Sequence, residues 1–486
     1  MKFKDLREFV SFLEERGELR RIPAQVTWDL EIAEIADRMV KSGGPALLFE
    51  NVTGYDMPVL INLFASEKRM AWALGVEKLE DIVDRVHGLL DLMHGPPEGL
   101  INRVRTLGKL VRMGSFQPKT VGRGPCQDVV LEGDEVDLLK FPVLKCWPLD
   151  GGRYITLPLV ITQDPNSGVQ NYGIYRMQVF DGQTAGMHWQ THKVGASHYR
   201  ASQVSNQERM PVAVALGGDP ATIWTGSAPL PPDVDEMSMA GFIREEGVEM
   251  VKAKTSGLLV PAHAEIVLEG YVVPGDERPE GPFGDHTGYY SPPEPYPVFH
   301  VTTITHRRDP IYPTAIVGRP PSEDYWMGKV TERIFLPAIQ VIMPEVVDIN
   351  MPAEGVFHNL VIVSVKKEYP GQARKVISGL WGLGLMSLAK TIVAVDHFVD
   401  VQNLSEVAWR VTANINPATD VFFTTGPLDD LDHASPTPKF GSKMGIDATE
   451  KSTLEGRARE WPPEIAMSQE IKDLVDGRWS DYGFGG

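Results

Sequence analysis

ITLPLVITQD at 155–164 and NYGIYRMQVFDG at 171–182 open a train of short apolar runs broken by Gly, Pro, Asp and Asn. MPVAVALGG at 210–218, AEIVLEGYVV at 264–273, PVFHVTTITH at 297–306 and PIYPTAIVG at 310–318 continue it. Runs of this length with few helical stretches between them predict an antiparallel barrel or sandwich. A single helix near Met237 to Glu246 interrupts the series. On the N-terminal side, Leu6 to Leu13 and the face Leu30, Ile32, Ile35, Ala36 and Met39 read as amphipathic helices, and PALLFENV and MPVLINLF as strands. On the C-terminal side, LVIVSV at 360–365, a helix from Gln372 to Leu385, TIVAV at 391–395, a helix near Ser405 to Thr412 and DVFFTT alternate as in a parallel α/β sheet. The final fifty residues, rich in Pro, Lys and Gly, read as an extended tail. The predicted organisation is an N-terminal α/β domain (1–115), a central antiparallel barrel or sandwich (116–318) and a C-terminal α/β domain with a tail (319–486).

The 486 residues exceed one ordinary core, and 42% hydrophobic with 23% charged residues is the composition of a soluble globular chain. No apolar run is long enough to span a bilayer, and the N-terminus reads as a helix rather than a signal peptide, so a cytoplasmic location is expected. Two cysteines, Cys126 and Cys146, exclude a disulfide framework and any all-thiolate metal site. A formal net charge of −18 argues against nucleic acid and against anionic lipid as general partners. An anionic substrate would then need a local cation, best an Arg able to grip a carboxylate with two donors.

EGPFGDHTGYY at 280–290 carries the strongest chemical signal. Its Gly-Pro-Phe-Gly turn can swing Glu280 and Asp285 toward one point, and two acids in one pocket push their pKa values apart. Arg176 lies on a β-like segment with Asn171 five positions earlier, and a bulge at Gly173 would re-aim its side chain. GMHWQTHK at 186–193 crowds His188, Trp189, Gln190, His192 and Lys193 into a segment too rich in Gly and Thr for a helix. As a loop it offers imidazole ligands and an aromatic wall for a planar cofactor. Glu236 reads as an ordinary helix-start acid unless a cation lies beside it. SGLWGLGLM at 378–386 lies within a helix and so is no dinucleotide fingerprint, and neither a phosphate-cradling lysine loop nor a nucleophile elbow is present.

Together with GGPALLFENVTGYDMPVL at 43–60, Gly-Arg-Pro-Pro at 318–321 and GSKMGIDAT at 441–449, these motifs resemble the UbiD family of prenylated-FMN-dependent decarboxylases, nearly end to end. The resemblance implies a central split β-barrel that binds flavin and a catalytic trio at Arg176, Glu280 and Asp285. It implies a divalent ion, usually manganese with potassium nearby, on Asn171, His192 and Glu236. It further implies cofactor contacts from Ile174, Tyr175, Arg176, His188, Trp189, Gln190, Lys193 and Val194, with Lys390 toward the phosphate end. A flavin prenyltransferase would supply the cofactor, and a homodimer or homohexamer would form through the C-terminal region. The family members it looks most like decarboxylate a polyprenyl-4-hydroxybenzoate or related aromatic acid in ubiquinone or menaquinone biosynthesis, non-oxidatively and in principle reversibly. A lipid-tailed substrate would bring the chain to the inner face of the cell membrane, although no strongly basic amphipathic helix anchors it.

The stretch His188 to Gly195 departs from the Arg-Trp-Leu-Ser-His-Arg-Gly-Gly of ubiquinone-pathway members toward menaquinone-type relatives, leaving the substrate open to another aromatic or α,β-unsaturated acid. In the implied mechanism Arg176 holds the substrate carboxylate with its fork, Glu280 holds Arg176, and Asp285 gives the proton. That role requires Asp285 to be protonated near neutral pH, raised by burial and by Glu280. Two other readings remain: an FMN reductase or oxidase module, and a metal-dependent hydrolase using His188, His192 and Glu236.

Overall fold

The computed structural model describes residues 1–93, 114–230 and 234–484. Asp5 caps the first helix, Leu6–Glu15, by accepting from Arg7 N and Glu8 N, and Leu6, Phe9, Val10 and Leu13 form its buried stripe. Strands Leu19–Val26 and Ala46–Val52 pair in parallel across the helix Glu31–Lys41, and Val59–Ile61 adds an antiparallel strand. The fourth strand of this sheet is Tyr312–Pro313. PIYPTAIVG thus leaves the central barrel, where its texture placed it, and completes the N-terminal sheet. Pro313 has no N–H to offer a second neighbour, which suits this edge position. The expected boundary near residue 115 borders residues 94–113, which lie outside the described part.

The central region is a nine-stranded, curled antiparallel half-barrel. Its order runs Arg153–Ile155, Met177–Val179, Thr184–Met187, Glu294–His306, Ile266–Glu280, Met210–Leu216, Pro158–Gln163, Gln170–Ile174, with Val129–Glu132 added beside Glu294–His306. Two strands near opposite ends of that order, Gln170–Ile174 and Met177–Val179, are joined in the chain by Tyr175 and Arg176 alone. The sheet therefore curls until its ends approach, and Arg176 sits in the seam. The chain leaves β structure there, so plain alternation does not govern where Arg176 points. The helix expected near Met237 spans Glu236–Arg244.

The C-terminal sheet orders Val346–Asn350, Leu360–Val365, Thr391–Asp396, Phe440–Asp447 and Val421–Pro427. Its inner pairings are parallel and its edge strands antiparallel, so it is mixed rather than purely parallel. GSKMGID, read from its glycines and lysine as tail, is an interior strand of this sheet. Burial of Lys443 made that pattern illegible, since its ammonium caps the carbonyls of Ser387 and Ala389 at 2.6 and 2.9 Å. No described helix is long and apolar enough to cross a membrane.

Candidate active site

The strand Ile266–Glu280 delivers Glu280 at its last residue. Gly281 then adopts φ +112°, a conformation that disfavours a side chain, and Phe283–Gly284 pairs antiparallel with Tyr290–Ser291. This small hairpin folds the loop back, so the acids that flank the turn meet at one point. A Cβ on Gly284 would stand 2.3 Å from the Trp147 ring, which explains the glycine there.

At that point Arg176 Nε and Nη2 donate to the two oxygens of Glu280, both at 3.0 Å. Nη2 also donates to Ser291 Oγ at 3.0 Å, and Nη1 donates to Asp285 Oδ2. The guanidinium stacks 4.6 Å above Phe283, and His188 Nδ1 donates to Glu280 Oε2 at 2.9 Å. Arg176, Glu280 and Asp285 are buried together, as the motif reading requires. The fork, however, is not free for substrate: Nε and Nη2 grip Glu280, and Nη1 is the donor shared with Asp285.

Burial alone would raise the Asp285 carboxyl, but the Arg176 charge and the His286 hydrogen bonds overcome it and hold the group well below the usual carboxylate range. The upward pull anticipated from burial and repulsion by Glu280 is therefore outweighed, and the direction is toward the ionised carboxylate. Glu280 is likewise lowered, because His188 and Arg176 outweigh its burial. His286 donates to Asp285 Oδ1 from its backbone N–H at 2.7 Å and from Nδ1 at 2.8 Å. Although burial opposes the charge, Asp285 pushes this imidazole up to about 9. Its Nε2 meets Nε2 of His358 at 2.9 Å, and burial followed by the His286 charge lowers His358 to about 4.

Beside the trio the polar groups are poorly satisfied. His188 Nε2 and Trp189 Nε1 are buried without hydrogen-bond partners among the described residues. The Lys193 ammonium makes no hydrogen bond among the described residues, and burial lowers its pKa against the pull of Asp429 and Asp430. Glu236 accepts from Tyr172 N at 3.3 Å, and desolvation pushes it up to about 7 with no cation beside it among the described residues. Asn171 is buried and reaches the Tyr175 hydroxyl at 3.4 Å, while that hydroxyl accepts from Gly195 N at 3.2 Å. Ile174 ends its strand half-buried, Gln190 is half-buried, and Val194 is exposed at the start of the helix Val194–Val204.

Unpartnered donors at His188, Trp189 and Lys193 with an uncompensated acid at Glu236 fit an anionic planar cofactor and a cation. His192 stands apart in its contacts: it faces Asp430 at 3.9 Å, with no hydrogen bond to Asn171 or Glu236. Among the described residues only His286, His358 and Asp429 bring metal-ligand atoms within 4.8 Å of one another, so the His188, His192 and Glu236 set of a hydrolase does not assemble. Lys390 directs its ammonium at Asp432, at 2.8 and 2.9 Å, rather than at this strip. His286, His358 and Asp429 bring ligand-type atoms within 4.8 Å of one another, but the two imidazoles there share a hydrogen bond through the nitrogens a metal would use. The role of His358 lay beyond sequence reasoning, since Val-Phe-His-Asn carries no pattern that points across the fold.

A half-barrel whose seam carries a guanidinium clamped by two acids, beside unsatisfied donors, defines a cofactor-assisted lyase-type site. Descriptions of the 3-octaprenyl-4-hydroxybenzoate carboxy-lyase match this chain in its N-terminal domain at 10–86, its Rift-related domain at 119–320 and its C-terminal domain at 325–448. The chain belongs to the UbiD family and is a carboxy-lyase. An uncharacterized protein of Archaeoglobus fulgidus is 52% identical over 99% of both chains. The vanillic acid decarboxylase of Sedimentibacter hydroxybenzoicus in closed form is 28% identical, with a TM-score of 0.87 over 99% of both chains. The UbiD-class enzyme HmfF of Pelotomaculum thermopropionicum, solved in complex with FMN, is 29% identical with a TM-score of 0.80, covering 97% of this chain and 99% of its own.

Proposed function

We propose that this chain decarboxylates an aromatic or α,β-unsaturated acid on prenylated FMN, with Arg176, Glu280 and Asp285 as its catalytic trio. The convergence of one guanidinium with two buried carboxylates carries this reading. When bound, prenylated FMN supplies the electron sink that an sp2 carbon losing CO2 lacks. Glu280 and His188 fix the plane of Arg176, so its Nη1 is presented in one orientation. The substrate carboxylate takes Nη1 in exchange for Asp285. Asp285, deprived of its strongest cation inside a buried pocket, then takes up a proton and donates it to the carbon.

His188, Trp189, Gln190, Lys193 and Val194, with Ile174 and Tyr175, would line the cofactor. Asn171 and Glu236 would hold a divalent ion such as manganese, with His192 turning from Asp430 to join them and potassium nearby. A polyprenyl-4-hydroxybenzoate or related acid of quinone biosynthesis is the substrate class favoured by the family description, and a flavin prenyltransferase would be the cofactor supplier. Exposed Ile465, Met467, Leu474 and Trp479 in the tail favour a homo-oligomer built through the C-terminal region. Asp285→Asn tests the core of the reading. It should retain cofactor yet lose turnover roughly 10²- to 10⁴-fold, including exchange of the product hydrogen with deuterated solvent. Exchange at the native rate would remove Asp285 as donor.

A further inference from the structure

Decarboxylation consumes one proton per turnover: R–COO⁻ + H⁺ gives R–H and CO2. Asp285 can deliver that proton only if something loads it, and among the described residues its proton-bearing neighbours are Arg176 and His286. Arg176 does not give up protons in a protein. His286 can: its Nδ1 stands 2.8 Å from Asp285 Oδ1, opposite the oxygen that faces Arg176. Its other nitrogen is not left to water but meets Nε2 of His358, at 2.9 Å, from the C-terminal region. His358 is buried, and its Nδ1 has no partner among the described residues. Geometry alone lets either imidazole donate across that contact; the Asp285 carboxylate, which accepts twice from His286, makes His286 the partner that carries the charge, so His358 accepts at Nε2 with its own proton on Nδ1 and each nitrogen of His286 bears one.

We propose that His286 is the proton reserve of this site, loading Asp285 through Nδ1, and that His358 holds His286 charged and in register by accepting from Nε2. The inference rests on the reading of Asp285 as donor. When a substrate carboxylate draws Arg176 away, the proton on His286 Nδ1 passes to Asp285 Oδ1 and the N–H bond breaks as the O–H bond forms. Asp285 passes it to the carbon that lost CO2. His286 is left neutral and regains a proton from water once product departs. His286 touches neither substrate nor cofactor in this account; it is a positioning and proton-supplying residue.

Asp324 on the helix Glu323–Ile342 and Asp429 beyond the strand Val421–Pro427 add negative potential at His286, and Lys193 adds positive potential at His358; Asp429 and Asp285 pull His358 the other way, but its burial and the His286 charge outweigh them. The reserve is full below the His286 pKa of about 9 and empties as pH rises through it.

The test uses holoenzyme carrying His286→Asn, whose amide can donate to Asp285 but holds no transferable proton. We expect turnover at neutral pH to fall about 10²-fold, the lower range for a lost proton-transfer group, and the alkaline limb of the pH–rate profile near 9 to disappear. Flavin absorbance confirms that cofactor is bound. Should that variant fail to load, His358→Phe and His358→Gln decide: Phe should move the alkaline limb to lower pH, and Gln, which keeps an acceptor, should restore it. A native rate and limb in His286→Asn, or equal limbs in the two His358 variants, would overturn the reserve. Asp285→Asn measured alongside separates the two readings, because retained exchange there defeats the donor itself, whereas lost exchange with an unchanged His286→Asn profile defeats only the reserve.

Discussion

The trio and the strip from His188 to Lys193 are linked by the bond from His188 to Glu280, yet they are opposites. Around Arg176 every charge has a geometric partner: a fork on Glu280, a contact to Asp285, a hydroxyl and an aromatic face. Along the strip, His188 Nε2, Trp189 Nε1 and Lys193 lack partners, and Glu236 is buried as an acid without a cation. The contrast teaches which part of the site the protein builds alone. The groups proposed to act on the substrate are preorganised by the fold, while those proposed to line the cofactor are held at a cost that binding would relieve.

The comparison breaks most visibly at Arg176→Ala. Removing the guanidinium strands Glu280, which is fully buried, so the variant should lose about 3–5 kcal/mol of stability in denaturant unfolding. A loss below about 1 kcal/mol would mean that the trio is not interdependent. Glu236→Gln should act in the opposite direction on the cofactor-free protein. With its pKa raised from 4.5 to about 7, the Glu236 contribution is most favourable below its ordinary value and is lost as pH rises through about 7. At pH 8 the neutral amide should therefore stabilise by roughly 1–3 kcal/mol, with no gain at pH 4. Equal midpoints at pH 8 would place Glu236 in the satisfied class.

Lys193→Ala should weaken flavin binding roughly tenfold, about the worth of one charge-assisted hydrogen bond. Lys390→Ala sharpens the same contrast from the other side. Its ammonium already pairs with Asp432 and lies partly exposed, so its removal should cost below about 1 kcal/mol of stability and leave flavin affinity unchanged. A titration in which Lys390→Ala binds flavin as weakly as Lys193→Ala would return Lys390 to the phosphate end.

Much of this site was legible before any coordinates. EGPFGDHTGYY declares a turn that can join two acids, and the Gly-Pro-Phe-Gly between them leaves the chain few other ways to run. Strand spacing narrowed the central region to an antiparallel barrel or sandwich, and the C-terminal alternation was legible from apolar runs. Tyr312–Pro313 and Phe440–Asp447 were not, because one is too short for periodicity and the other hides its register behind glycines and a buried lysine. Lys390 shows a related limit: its charge is visible in the sequence, but its partner, Asp432, is forty-two residues away.

The sequence by itself determined that Glu280 and Asp285 flank a turn, that an arginine lies on a β-like segment, and that the chain is a UbiD-type carboxy-lyase, because local backbone chemistry and motif order are encoded in neighbouring residues. Only the tertiary structure decided the charge state of Asp285 and the partner of His286. Those depend on Arg176 and His358, brought in from 109 residues before Asp285 and 72 residues beyond His286, and on the low-dielectric pocket that forms when they meet.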